Sequence, residues 1–256
     1  ITNVSGAPLE RLGSIEEIAR AKGELFAGLG PGGIAVMPAD DPLIHAEAAP
    51  VAPERRLVFD GAGRARLPVD VRVLEVIPAG AAGSVVRLAV RGTPVVVRLP
   101  LGGADDARIA AAALGVALAV GAPLVEAARA LETLDLPPHR SAAVPAGGRV
   151  VLDDCYNANP DAVRAALASV VSSAGSGRAF AILGDMLELG PDAEALHRAV
   201  GRDAGGRLAG LVAVGARADA FVAGAREAGM PADRAVAAAT PEEAAARVAA
   251  WTVAGD

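Results

Sequence analysis

From Arg149 onward the sequence repeats one pattern, a short aliphatic run followed by a longer amphipathic stretch. The runs are Arg149–Leu152, Ala179–Leu183, Leu211–Val214 and Arg234–Ala238. Helical patterns follow them at Pro160–Val171, Pro191–Asp203 and Ala216–Ala228, and a last one opens at Thr240-Pro241-Glu242-Glu243. Parallel strands need a crossover between them, and the crossover helix lies on a face of the sheet. The alternation therefore predicts an α/β unit with a mostly parallel sheet covered by helices on both faces. Local signals agree, because Asn159 before Pro160 places a cap and a first-turn proline where a helix should start.

The first half reads differently. Ser14-Ile15-Glu16-Glu17 has capping-box spacing, and Ile15, Ile18, Leu25 and Leu29 form an apolar stripe after it. Lys22 lies on that stripe and is the only lysine in the chain. Ile34–Met37 reads as a strand running into the Pro38–Pro42 loop. Val69–Ile77, Ser84–Val90 and Thr93–Leu99 read as short strands joined by Gly and Pro turns, an antiparallel excursion. Two helices, Ala107–Val120 and Pro123–Leu134, follow. Leu136-Pro137-Pro138-His139-Arg140 breaks the pattern and marks a boundary, with one domain over residues 1–137 and a second over 138–256.

Composition excludes several classes. Of 256 residues, 53% are hydrophobic and 21% charged, which is not the make-up of a disordered chain. The formal net charge of −6 argues against a nucleic-acid partner bound through a basic surface. The mean hydropathy of +0.40 comes from alanine-rich helices. The uncharged run between Arg108 and Glu126 is broken by Gly115, Gly121 and Pro123, and falls short of the ~20 apolar residues that span a bilayer. No membrane insertion is expected, and Ile1-Thr2-Asn3-Val4 lacks the basic start of a secretory signal. A single cysteine excludes a disulfide framework and a Cys-based zinc site. The chain opens inside what reads as a strand end and stops where another strand is expected, so it reads as a piece of a longer protein.

Ligands of such sheets bind beyond the carboxyl ends of the strands. Asp153-Asp154-Cys155-Tyr156-Asn157-Ala158-Asn159 follows the first strand and Gly184-Asp185-Met186 the second. Cap and turn chemistry accounts for Asn159 and one aspartate, but not for so polar a run, which points to a ligand site. On position alone, Lys22 reads as a side chain whose stem covers the core while its ammonium reaches water. His45, His139 and His197 show no metal-ligand spacing and read as surface or cap residues. Cys155 has no histidine near it in sequence to activate it as a nucleophile. No G-x-x-x-x-G-K-[ST] phosphate loop occurs in the chain.

The runs Asp153–Asp161 and Leu183–Gly190 resemble those of the D-alanyl-D-alanine-adding bacterial Mur ligases, as do Ile1–Val4 and Ala19–Phe26. The resemblance implies the later part of a central ATPase domain followed by a Rossmann-like C-terminal domain, whose last strand lies beyond the chain. It implies an ATP- and Mg²⁺-dependent enzyme of the cytoplasm, a monomer. Such an enzyme converts the carboxylate of UDP-N-acetylmuramoyl-tripeptide to an acyl phosphate, which the amine of D-Ala-D-Ala attacks. By position, Lys22 matches a lysine that is carbamylated in the family and helps position Mg²⁺. Arg140 matches the linker arginine that reaches the ATP phosphates, and Asp154 the residue that contacts the nucleotide ribose. Asn159 is carried over to ATP binding, and Tyr156, Asn157, Asp185, Met186 and Glu188 to substrate binding. The phosphate loop is expected upstream.

Two positions depart from the family pattern. Pro8 stands where the family has a metal-binding histidine. Gly103-Ala104-Asp105-Asp106-Ala107-Arg108-Ile109 keeps only the glycine of an adenine-contacting Gly-x-His-Asn-x-x-Asn pattern; Asp106 and Ile109 cannot supply the amide donors. These departures leave two other readings open: a related amide ligase with another acceptor, or a non-catalytic paralogue that binds nucleotide or precursor.

Overall fold

The structure is a computed structural model that describes residues 1–4, 12–79, 83–100, 103–135 and 137–255, without the side chain of Ala104. Pro8 therefore lies outside the described residues. The chain divides into two compact units, the break falling between Asp135 and Leu136.

In the first unit, α1 (Ile15–Ala27) starts where the capping box places it, with Ser14 Oγ accepting from Glu17 N–H at 3.2 Å. β1 (Ala35–Pro38) follows, then the short helix α2 (Pro42–Glu47) after the Pro38–Pro42 loop. Asp41 makes that short helix by accepting from the Leu43 and Ile44 amides, with Pro42 in the first turn. His45 consequently sits on a helix, its Nε2 3.0 Å from the Pro38 carbonyl.

β2 (Arg56–Asp60), β3 (Val71–Pro78), β4 (Ser84–Val90) and β5 (Thr93–Leu99) complete, among the described residues, a five-stranded sheet in the order β1-β2-β3-β4-β5. The β3-β4-β5 part is antiparallel as expected, whereas β2 pairs in parallel with both β1 and β3. From about Leu57 to Leu99 the sequence reads as one antiparallel β-rich stretch; β2 departs from it, because a parallel strand shares no tight turn with its partners. α3 (Ala104–Ala119) lays Ala107, Ala110, Ala111 and Leu114 on the sheet, against Phe59, Leu88 and Val97. α4 (Leu124–Glu132) then packs Ala128 beside them.

The second unit begins with a correction. β7 (Arg149–Asp153) does not lead the parallel sheet; it pairs antiparallel with β6 (Ala142–Ala146) in a hairpin. Gly147 and Gly148 form its two-residue turn with φ of +58° and +79°, the region that primed hairpin turns require. Val150 and Val151 point to opposite faces of this hairpin and both stay about half exposed, so solvent reaches both faces.

The remaining alternation holds. α5 (Pro160–Ala174), β8 (Phe180–Leu183), α6 (Ala193–Gly205), β9 (Gly210–Val214), α7 (Ala218–Glu227), β10 (Ala235–Ala238) and α8 (Pro241–Trp251) follow in turn. Among the described residues the strands form a parallel sheet in the order β10-β9-β8. β9 is central, and its period of two serves both faces. Leu211 and Ala213 enter a core with Leu167, Val200 and Phe221, while Val212 turns to Ala244 and Trp251 of α8. Burying such a side chain contributes about 1.5–3 kcal/mol. Across the α6–α7 contact, Glu227 takes Arg198 and Arg202, and these guanidinium groups hold its carboxyl down at about 2. No described helix is long and apolar enough to cross a membrane.

Candidate functional site

The polar run after β7 is stitched to the segment before β6. The Tyr156 amide donates to the His139 carbonyl at 3.1 Å. Asp154 Oδ1 accepts from both the amide and the hydroxyl of Ser141, at 2.9 and 3.2 Å. His139 and Ser141 hold φ of +64° and +52°, uncommon for residues with a Cβ and sustained here by those bonds. The result brings together residues that the sequence separates. The Arg140 guanidinium lies 4.1 Å from the centre of the Tyr156 ring, a cation–π distance.

His139 Nδ1 is 2.8 Å from Asp153 Oδ2, and Cys155 also bonds to that carboxylate. The thiol hydrogen bond and then the imidazole hold the Asp153 carboxyl below its ordinary range. The same carboxylate, with burial second, pushes the Cys155 thiol up. A thiol so held is a poor nucleophile. It nevertheless has a histidine in its neighbourhood, which spacing along the chain could not show.

Asn159 is the cap of α5, its Oδ1 accepting from the Asp161 and Ala162 amides. Ala158 beside it packs against the core that contains Met186 and Leu189, so the two polar loops share one hydrophobic footing. Asn157 is exposed and Tyr156 is 66% exposed, both available to a ligand.

In the loop after β8, Asp185 accepts from the Ala216 and Arg217 amides at 2.8 and 3.0 Å, tying this loop to the turn after β9. Gly215 permits the approach, since its φ is +115° and a Cβ there would meet the Asp185 carboxylate at 2.6 Å. Met186 is buried, so its side chain belongs to the core and does not line a binding surface. Glu188 is exposed on a left-handed backbone, φ +60°.

What holds this loop is a residue read from sequence as surface or cap. His197 is fully buried, packed edge-on to Phe221 with ring centres 4.7 Å apart. Its Nε2 accepts from the Met186 amide at 2.9 Å and its Nδ1–H donates to the Ala193 carbonyl at 2.5 Å. These partners require the neutral ring with the proton on Nδ1. The signal was present in the pattern, because His197, Val200 and Ala204 share one helical stripe. Alanine at this position opens a cavity and leaves the Met186 amide without its acceptor, while the Ala193 carbonyl stays in the helix ladder, so we expect a loss of about 3 kcal/mol. Urea unfolding followed by Trp251 fluorescence measures that loss. Hydrogen exchange at the Met186 amide should accelerate in the same variant; an amide that stays protected contradicts the contact.

In the first unit, Lys22 is half-buried on α1, and its Nζ donates to the Asn3 carbonyl at 2.9 Å. Asp106 Oδ2 accepts from the Gly103 amide at 2.8 Å, so this carboxylate serves as a helix cap. Ile109 is 56% exposed.

The chain is 36% identical over 211 residues to the UDP-N-acetylmuramoyl-tripeptide–D-alanyl-D-alanine ligase of Mycobacterium tuberculosis, covering 79% of this chain and 40% of that protein. The Escherichia coli protein of the same name is 32% identical over 207 residues, covering 80% of this chain and 44% of its own length. The chain thus spans less than half of these relatives. A crystal structure of MurF from Acinetobacter baumannii superposes with a TM-score of 0.83 at 28% identity, over 98% of this chain and 52% of that one. The Thermotoga maritima MurF ligase in complex with ADP shares the fold, with a TM-score of 0.80 at 24% identity, over 99% and 55%. Residues 1–117 match the Mur ligase middle domain and residues 139–256 the Mur ligase, glutamate ligase domain. With both domain models of one family matched in consecutive order, the chain belongs to the Mur ligases.

Proposed function

We propose that this chain forms the later central domain (1–137) and the C-terminal domain (138–256) of an ATP-dependent ligase that joins D-Ala-D-Ala to UDP-N-acetylmuramoyl-tripeptide. One observation carries the reading: the Asp153–Asn159 run, stitched to Arg140, lies in a chain that is 36% identical to a ligase of that name. The substrates, a nucleotide-linked precursor and a free dipeptide, are water-soluble, and the reading places the enzyme in the cytoplasm.

The available atoms suit the roles. Arg140 is exposed and steadied by the Tyr156 ring, so its donors can meet phosphate oxygens. Asp154 uses Oδ1 on Ser141, which leaves Oδ2 to accept from a ribose hydroxyl. Asn159 keeps its NH₂ donors beyond the cap it makes with Oδ1. Tyr156, Asn157 and Glu188 present exposed side chains to the precursor or the dipeptide. Asp185 acts by fixing the loop rather than by touching substrate, because both its oxygens already hold backbone amides.

For Mg²⁺, the fitting residue is Lys22. Its half-exposed Nζ is reachable by CO₂, and a carbamate there turns a cation into an oxygen donor, the ligand type a hard cation takes. The carbamate nitrogen keeps one N–H, so the bond from Nζ to the Asn3 carbonyl can persist while the new oxygens face the cation. When bound, the metal would supply neutralisation of phosphate charge.

In the full-length gene product, orthophosphate release should require ATP, the tripeptide precursor and D-Ala-D-Ala together. Equal release with a single amino acid in place of the dipeptide would move the protein to a ligase with another acceptor. No release with any acceptor, in a protein that still binds nucleotide, would make it the non-catalytic paralogue.

A further inference from the structure

We propose that His139, Asp153 and Cys155 form a binding site for a borderline-soft divalent cation, with Zn²⁺ the fitting ion. One ligand atom from each residue, imidazole nitrogen, carboxylate oxygen and thiol sulfur, lies within 4.8 Å of the other two. Tetrahedral zinc binds these donors at ~2.0–2.3 Å, so its ligand atoms stand about 3.3–3.8 Å apart. Small side-chain rotations reach that spacing. The sequence reading excluded a cysteine-based zinc site from the single cysteine; the fold revises that, because it supplies the other two donors from His139 and Asp153, and this mixed donor set separates the site from an ordinary acidic surface cluster. A thiolate and an imidazole select against Mg²⁺ and Ca²⁺, which take oxygen ligands.

The backbone has already placed the three residues. β6 and β7 align Ala142 with Asp153, the Tyr156 amide holds the His139 carbonyl, and Ser141 holds Asp154. Little chain entropy is left to lose on binding, which favours affinity. His139 and Cys155 are exposed, so an ion can enter, and the fourth coordination position faces water. On binding, the Cys155 proton leaves to solvent and the Asp153 oxygen exchanges its hydrogen bonds for the metal. The ion would clamp the 139–141 segment to the 153–156 segment, the two that carry Arg140 and Tyr156. This proposal rests on the cluster's geometry and stands apart from the ligase reading.

Co²⁺ is the direct probe, because a Co²⁺–thiolate bond gives a charge-transfer absorption that oxygen ligands do not. Titration of the chain with Co²⁺ should produce that band at a stoichiometry of one, and Zn²⁺ but not excess Mg²⁺ should abolish it. Cys155→Ser should remove the band. His139→Gln and Asp153→Asn should each weaken binding about tenfold or more, since losing even an outer partner of a metal ligand typically has that effect. Circular dichroism confirms that each variant is folded, including the partly buried Asp153→Asn. Absence of the band in the unaltered chain overturns the proposal. A band of unchanged affinity in both His139→Gln and Asp153→Asn also overturns it, because the thiol would then bind alone.

Discussion

Valine in place of Gly224 should abolish the cooperative unfolding of the second unit, or lower its urea midpoint far below that of the unaltered chain. α6 and α7 touch through their backbones. A Cβ on Gly224 would run into the Arg198 carbonyl, and one on Gly201 into the Phe221 carbonyl. Backbone of a packed helix cannot step aside as a flexible side chain can, so the helices must separate. Separation opens the core around Phe221 and Val200 and breaks the His197 contacts. Overpacking typically costs ~1–3 kcal/mol, and backbone collisions of this kind belong at or above the top of that range. Against a total stability of about 5–15 kcal/mol, that is a large share. Alanine at Gly224 or Gly201 should act in the same direction, although alanine is the better helix former. Gly206→Ala is the control: Gly206 ends α6 with φ −79°, and its Cβ would meet only the Arg202 carbonyl, at 3.8 Å. Its midpoint should stay unchanged. Trp251, the chain's only tryptophan, lies in the second unit and reports its unfolding directly. A Gly224→Val variant with an unaltered midpoint would contradict the helix contact.

The second large effect concerns Lys22. Under the proposed function, Lys22→Ala and Lys22→Arg should each lower phosphate release by about a hundredfold or more. Losing a metal-positioning anion removes several kcal/mol of charge stabilisation, and each ~1.4 kcal/mol is tenfold in rate. Arginine keeps the positive charge but forms no carbamate, so a loss in Lys22→Arg separates the carbamate from a mere cation. A short carboxylate such as formate should partly restore Lys22→Ala and leave Lys22→Arg inactive. Stability should change little, because the hydrogen bond shown for Lys22 is one to the Asn3 carbonyl, worth about 1 kcal/mol or less. Full activity in Lys22→Arg would remove Lys22 from the site.

The parallel sheet of the second unit was legible because it is written locally. Thr240 caps α8 through the Glu243 amide and Asn159 caps α5, each where the sequence signal lies. The β6–β7 hairpin was misread although Gly147-Gly148 is a hairpin signal, because Arg149–Leu152 also fits the period of the strands after it. β2 was obscured for another reason: parallel pairing leaves no turn in the sequence to mark it. The candidate site divides along the same line. The polar run Asp153–Asn159 stood out by composition. The neighbours of Arg140, Asp185 and His197 did not, because each contact joins segments that only the fold brings together. Asp185 reaches the Ala216 amide, His197 reaches Met186, and His139 reaches Cys155 across the hairpin. The departures at Asp106 and Ile109 were legible as substitutions, while the capping role of Asp106 needed the Gly103 contact.

The central claim is amide ligation through an acyl phosphate, and heavy oxygen in the tripeptide carboxylate tests it most directly. In the full-length gene product, one labelled oxygen should appear in the released orthophosphate and the other in the new amide, with one phosphate per D-Ala-D-Ala joined. Orthophosphate that carries no label while ATP is consumed would contradict the account, because phosphate would then never have been bonded to the precursor.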